Sequence, residues 1–185
     1  MGSRKVTPKL ERVLLRRMSK DRKGKIHRPT VAVMVEHFET RKFLIVYGRQ
    51  DLFSQTQNPG IVKGGVDKGE KPIEAARREI YEELGALPHH FEFLSYYGSY
   101  SVESKKQKEG FPRKRYYVFH AIYTGPFEFQ IDMDELSHYE WVTLGEARQS
   151  LRSLKEHRGD KHKVLLKIFA RVKKKKPKRK TKAKP

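Results

Sequence analysis

Apolar residues follow two different periods along this chain. From Pro72 to Leu84 the residues Ile73, Ala76, Ile80 and Leu84 recur at spacings of three and four, the period of a helix with one buried face. Elsewhere they gather in short runs rich in β-branched and aromatic side chains, which predict strands: TVAVMV (30–35), KFLIVYG (42–48), IVKGG (61–65), FEFLSYYGSYSVE (91–103), RKRYYVFHAIYTG (113–125) and the residues around Trp141 and Val142. The polar stretch EHFETRK predicts a hairpin between the first two runs, and the two aromatic-rich runs read as an antiparallel pair. Helical spacing returns in LGEARQSLRSL and in KHKVLLKIFARV, where Val164, Leu165, Ile168, Phe169 and Val172 form a face to pack on the sheet. Strands mixed with flanking helices predict an α/β sandwich.

The two ends break this pattern. Residues 4–20 place Leu10, Val13, Leu14 and Met18 on one stripe among arginines and lysines, a basic amphipathic helix suited to docking on the domain, on RNA or on an acidic surface; a transit peptide is the alternative. Residues 171–185 carry ten Lys/Arg and no acid, and such a segment is expected to stay disordered. The net charge of +20 is therefore unevenly spread: +9 over residues 1–29, +10 over 171–185 and only +1 over 30–170. We expect three regions, a basic extension (1–29), a nearly neutral domain (30–170) and a polybasic tail. The chain has no cysteine, so thiolate chemistry, disulfides and cysteine zinc sites are excluded. No apolar run approaches the roughly 20 residues of a membrane helix, and the amino terminus lacks the apolar core of a secretory signal. A soluble, cytoplasmic protein that avoids membranes is expected, with the nucleus as the alternative for a eukaryotic source, since the lysine-rich tail resembles an import signal. The oligomeric state is not legible.

Candidate chemistry concentrates in GGVDKGEKPIEAARREIYEELGA, Gly64 to Ala86. Glu79, Glu82 and Glu83, at i, i+3 and i+4, stack three carboxylates within one helical turn, off the apolar stripe. Arg78 pairs with Glu82 at i, i+4, but one arginine cannot neutralise three acids, and the cluster suits a hard divalent cation with oxygen ligands. The competing reading is a charged surface helix after a glycine turn. At this point the stretch resembles the signature of the Nudix hydrolases, G-x5-E-x7-R-E-U-x-E-E-x-G-U. Gly64, Glu70, Arg78, Glu79, Ile80, Glu82, Glu83 and Gly85 fall in register, and Ala86, where a bulky aliphatic is usual, is the one departure. The resemblance implies a Nudix-type α/β/α sandwich with a mixed sheet, and cleavage of a phosphoanhydride by water with Mg2+, or Mn2+ in its place. It further implies metal ligands Glu79, Glu82 and Glu83, with Glu70 as a further ligand or a contact behind them, and Arg78 orienting the set. Gly64 and Gly65, beside Lys63, bring the backbone close to the substrate. Some similar enzymes carry a glutamate six residues before a strand tryptophan as the base that activates water. Glu135 stands there relative to Trp141; the alternative is a surface acid beside Asp132 and Asp134.

The substrate is less legible. Between the two aromatic runs, residues 104–115 hold six Lys/Arg and one Glu. This is either a solvated loop tip or a reach of Lys105, Lys106, Arg113 and Arg115 toward substrate phosphates. Basic arms favour phosphate backbones without sequence specificity. The leading expectation is thus hydrolysis of a nucleoside polyphosphate, with the 5′ polyphosphate end of RNA as the candidate, and RNA or the ribosome as partner of the arms. The runner-up is a small-molecule enzyme for free nucleotides, dinucleoside polyphosphates or nucleotide sugars. A non-catalytic RNA binder on the same fold is the third reading, disfavoured by the intact carboxylate set. Tyr96, Tyr97, Tyr116 and Tyr117 could stack on a base, but strand aromatics are more often core. His89, His90 and His120 read as turn or sheet residues.

Overall fold

The computed structural model describes residues 28–48, 59–103, 113–153 and 160–172. The predicted amphipathic helix at 4–20, the loop cations Lys105 and Lys106, and the tail lie outside them.

The centre of the fold is strand β1 (Arg28–His37), which reads as a continuous apolar run because it is covered on both faces. On one side β6 (Arg113–Tyr123) runs parallel to it along its whole length, from Arg28↔Lys114 to His37↔Tyr123, and β5 (Phe91–Glu103) pairs antiparallel with β6. On the other side β4 (Val62–Gly65) pairs antiparallel with Thr30–Val33. The predicted hairpin between β1 and β2 (Phe43–Gly48) is present, but it opens after one pair, Glu36↔Phe43. The edge of β1 is occupied by β4, so β2 turns instead to the two-residue β3 (Pro59–Gly60) and to β7 (Leu136–Val142). Among the described residues the result is one mixed sheet of seven strands.

Alternation sorts the side chains between two cores. Val31, Val33, Val35, Val62, Tyr117 and Phe119 face helix α1 (Pro72–Leu84), which contributes Ile73, Ala76, Ile80 and Leu84. Ala32, Met34, Ile45, Tyr116 and Val118 face α2 (Leu144–Ser153) and α3 (Asp160–Arg171), which contribute Leu151, Leu165, Ile168 and Phe169. Arg148 of α2 closes the end of α3, donating to the carbonyls of Phe169 and Val172. This is the expected α/β/α sandwich. Tyr96, Tyr116 and Tyr117 are buried in it, and no helix among the described residues is long and apolar enough to cross a membrane. His89 and His90 lie in a single 3-10 turn, while His120 is a buried sheet residue with its Nε2 2.8 Å from Glu36 Oε2.

Candidate active site

Helix α1 starts where its sequence says it should. Pro72 occupies the first helical position, where a missing N–H costs nothing, and the Glu74 carboxylate accepts the Lys71 N–H (3.1 Å) and Lys71 Nζ (2.8 Å). It stops at Gly85, whose φ of 62° is left-handed and whose N–H returns to Tyr81 O at 2.8 Å.

The three carboxylates predicted to share one face do not share one environment. Glu79 and Glu83, one turn apart, are 7% and 1% exposed and point at the edge of β4, whereas Glu82 is exposed. Gly64 makes the room: a Cβ on it would stand 1.7 Å from Glu79 Cδ, so any side chain there excludes the carboxylate. One residue earlier, the Lys63 N–H donates to Glu83 Oε1 at 3.1 Å. The other oxygen, Glu83 Oε2, is buried without a hydrogen-bond partner. Burial pushes the Glu83 carboxyl up to about 7 against the pull of Lys63, with the charges of Glu79 and Glu135 adding to the rise. Burial also raises Glu79, opposed by Arg78 and reinforced by Glu82 and Glu135. A buried pair of acids that resists ionisation, with an unused oxygen, has the electrostatics of a cation site.

Arg78 is the hub of this cluster. Its NH1 donates to Glu79 Oε1 and Glu82 Oε2, both at 2.8 Å, and its NH2 donates to Gly65 O at 2.8 Å. Glu70 receives it in two-pronged fashion, Nε to Oε1 and NH2 to Oε2, each at 3.0 Å, and also accepts the Asp67 N–H at 2.9 Å. These donors hold the Glu70 carboxyl below its ordinary value despite partial burial. With Arg78 between Glu79 and Glu82, no three acidic or histidine side chains among the described residues converge at ligand distances. The donor set still fits a hard divalent cation: Glu79, Glu82 and Glu83 could hold it, and the partnerless Glu83 oxygen is the one the protein itself leaves over. Both oxygens of Glu70 are engaged by Arg78.

Glu135 arrives from far along the chain. It precedes β7, next to Leu136, which pairs with Gly48 at the end of β2, and its charge acts on both Glu79 and Glu83. Arg113 and Arg115 open β6. Arg115 pairs across β1 with Pro29, whose carbonyl accepts the Val66 N–H, so it starts two strand spacings, about 10 Å, from the glycine turn. Lys63 contributes its backbone to Glu83 and also lines a cavity of about 20 Å³ with Tyr116, Leu165 and Ile168. Sequence reasoning missed the segment Gln130–Asp132, which docks on the end of α1. Asp132 N donates to Glu83 O at 3.1 Å, and a Cβ on Gly85 would meet Gln130 O at 2.6 Å. The available signal was Gly85, a position of the signature that is also a contact.

The fold is an α/β/α domain with a mixed sheet between helices, and it carries buried acids on one helix that an arginine clamps against a glycine turn. The sequence profile of the NUDIX domain matches residues 26–167. The chain belongs to the Nudix family and is a hydrolase of phosphoanhydride bonds. Curated relatives include the RNA pyrophosphohydrolase of Helicobacter pylori, 26% identical over 127 residues, which spans 65% of this chain and 80% of the relative. Another is the RNA pyrophosphohydrolase of Mesorhizobium japonicum, 30% identical over 105 residues, spanning 46% of this chain and 61% of the relative. Among solved structures, the MutT protein of Methanosarcina mazei Go1 matches with a TM-score of 0.56 at 17% identity, over 80% of this chain and 93% of the other. The Ap4A hydrolase of C. elegans, solved as a binary complex, matches at 0.53 and 18%, over 77% and 95%. At those identities the two structures speak to fold alone.

Proposed function

We propose that this hydrolase acts on the 5′ polyphosphate end of RNA in a reaction that depends on Mg2+, with Mn2+ able to replace it. The observation that carries the metal assignment is Glu83 Oε2, a buried carboxylate oxygen without a partner beside a second buried acid. The RNA assignment is supported by the activity named for the curated relatives and by the charge of the terminal arms. We divide the chain into the basic extension 1–29, the catalytic domain 30–170 and the polybasic tail 171–185, and place it in the cytoplasm.

In this reading Glu79, Glu82 and Glu83 bind the cation. Bound there, Mg2+ would neutralise phosphate oxygens and lower the pKa of water. Arg78 fixes the orientation of Glu79 and Glu82, and Glu70 holds Arg78 by both prongs. Glu135 takes the proton of the attacking water as its oxygen bonds to phosphorus and the bridging P–O bond breaks, releasing the distal phosphate or pyrophosphate. Gly64 leaves room for the Glu79 carboxylate and Gly65 offers its carbonyl to Arg78, and Arg113 and Arg115, with Lys105 and Lys106 from the segment before β6, supply cations for the remaining phosphates.

The test is release of phosphate or pyrophosphate from 5′-triphosphorylated RNA, free nucleoside triphosphates and dinucleoside polyphosphates, with and without Mg2+. Preference for the RNA end by kcat/KM, abolished by chelation, is expected. Equal or better turnover of free nucleotides would transfer the assignment to the small-molecule class, and turnover in chelator would remove the metal.

A further inference from the structure

The turn that carries Glu135 is fastened to the last turn of α1 by groups that the proposed chemistry does not use. A helix ends in carbonyls without intrahelical partners. One of these, Glu83 O, accepts the Asp132 N–H at 3.1 Å. The Asp132 carbonyl in turn accepts the N–H groups of Glu135 (3.1 Å) and Leu136 (2.8 Å), and its Oδ1 accepts the Asp134 N–H at 2.8 Å. Leu136 is 2% exposed and pairs with Gly48, which pins the far side of the turn into the core. Gly85 lets the strap lie down, because a Cβ at that position would stand 2.6 Å from Gln130 O and 3.2 Å from Gln130 Cβ.

We infer that Gly85 and Asp132 form a clasp that sets Glu135 against Glu79 and Glu83, with Asp132 as a positioning residue for the base. The inference rests on the assignment of Glu135 above. Among the described residues no hydrogen bond is made by the exposed Glu135 carboxylate, so the backbone of this turn sets the point from which the side chain reaches. That backbone hangs from Glu83, whose side chain is one of the buried acids. Candidate base and candidate ligand are thereby parts of one hydrogen-bonded unit, and the acidic loop at 132–135 is a fixture as well as a charge.

The experiment compares Asp132→Ala, Asp132→Asn, Glu135→Gln and the double variant Asp132→Ala/Glu135→Gln in the full chain at saturating Mg2+. Asp132→Ala should lower kcat by about 10- to 100-fold, the scale of a misplaced catalytic group, with KM and Mn2+ affinity little changed. Asp132→Asn keeps the Oδ1 acceptor and should restore most of the rate. The double variant should be no slower than Glu135→Gln, because the two residues act as one device. Asp132→Ala keeps these backbone bonds but removes the Oδ1 acceptor of the Asp134 N–H, so the turn should loosen from that point, with amide exchange faster at Asp134 and, through it, at Glu135 and Leu136. Additive losses, or unaltered exchange at those amides, overturn the clasp. A wild-type rate for Glu135→Gln removes the base assignment alone, and the clasp then stands or falls on the exchange data.

Discussion

Burial pushes the Glu83 carboxyl up to about 7, and the behaviour of the protein with pH follows from that. The carboxyl rises from 4.5 to about 7 on folding, so between those values the folded state holds a proton that the unfolded chain has released. Stability of the metal-free protein should therefore fall as pH rises through that window, by on the order of 3 kcal/mol. Glu79, raised by burial, acts in the same direction. Glu70, held below its ordinary value, acts oppositely: its contribution is present above that value and is lost as the pH falls further. Thermal melts in chelator from pH 5 to 8 should show a declining Tm that Glu83→Gln flattens, while Mg2+ should restore wild-type stability most strongly at the alkaline end. A flat wild-type profile would remove the buried-acid picture. Beside it, Gly64→Ala puts a methyl group where Glu79 Cδ now sits, at 1.7 Å. Mg2+-dependent turnover should fall at least as far as in Glu79→Gln, and Mn2+ binding by EPR should weaken.

At the scale of elements, α1 was legible because its apolar stripe is local, and the structure adds a proline start and a glycine stop that are local too. So were most strands, through their β-branched and aromatic runs. The partnerships between strands were not: the parallel β1–β6 pairing joins residues more than 80 positions apart, and nothing in either run says that β4 will displace β2 from the edge of β1. The same limit applied to the carboxylates. The helical period separates Glu79 and Glu83 from the apolar stripe, yet their burial depends on a missing side chain at Gly64, on another element. Gly85 carries both local and non-local demands, which can be measured apart. Gly85→Ala should cost about 1 kcal/mol for the left-handed backbone and a comparable amount for the 2.6 Å approach to Gln130 O, lowering Tm by roughly 4–8 °C. Gly69→Ala is the control, since its φ is 86° but nothing lies within 4 Å of the added Cβ, and it should cost only the backbone share. Equal losses for the two variants would mean that the Gln130 contact is relieved by a small shift.

For the whole molecule the notable property is the separation of charge from chemistry. Residues 30–170 are nearly neutral at +1 and contain the carboxylate cluster, whereas the flanking segments carry +9 and +10. In the proposed reading the carboxylate site would meet only a few phosphates at short range, whether the substrate is a mononucleotide or an RNA end. The charge of the arms should then matter chiefly for a substrate that carries many phosphates. Their contribution comes from displacing counterions from phosphates, so it should appear as a salt dependence, with log affinity falling by about 0.7 per single-strand phosphate neutralised for each decade of salt. On 5′-triphosphorylated RNA, kcat/KM should fall steeply with added KCl, mainly through KM. Removing residues 173–185, which hold nine Lys/Arg, should lower the low-salt value and flatten the slope without changing kcat. A free nucleoside triphosphate should show little salt dependence and no effect of the truncation. If the truncation slows both substrates equally, the tail serves the folded domain; if it slows neither, the charge has another partner and the RNA reading loses its electrostatic support.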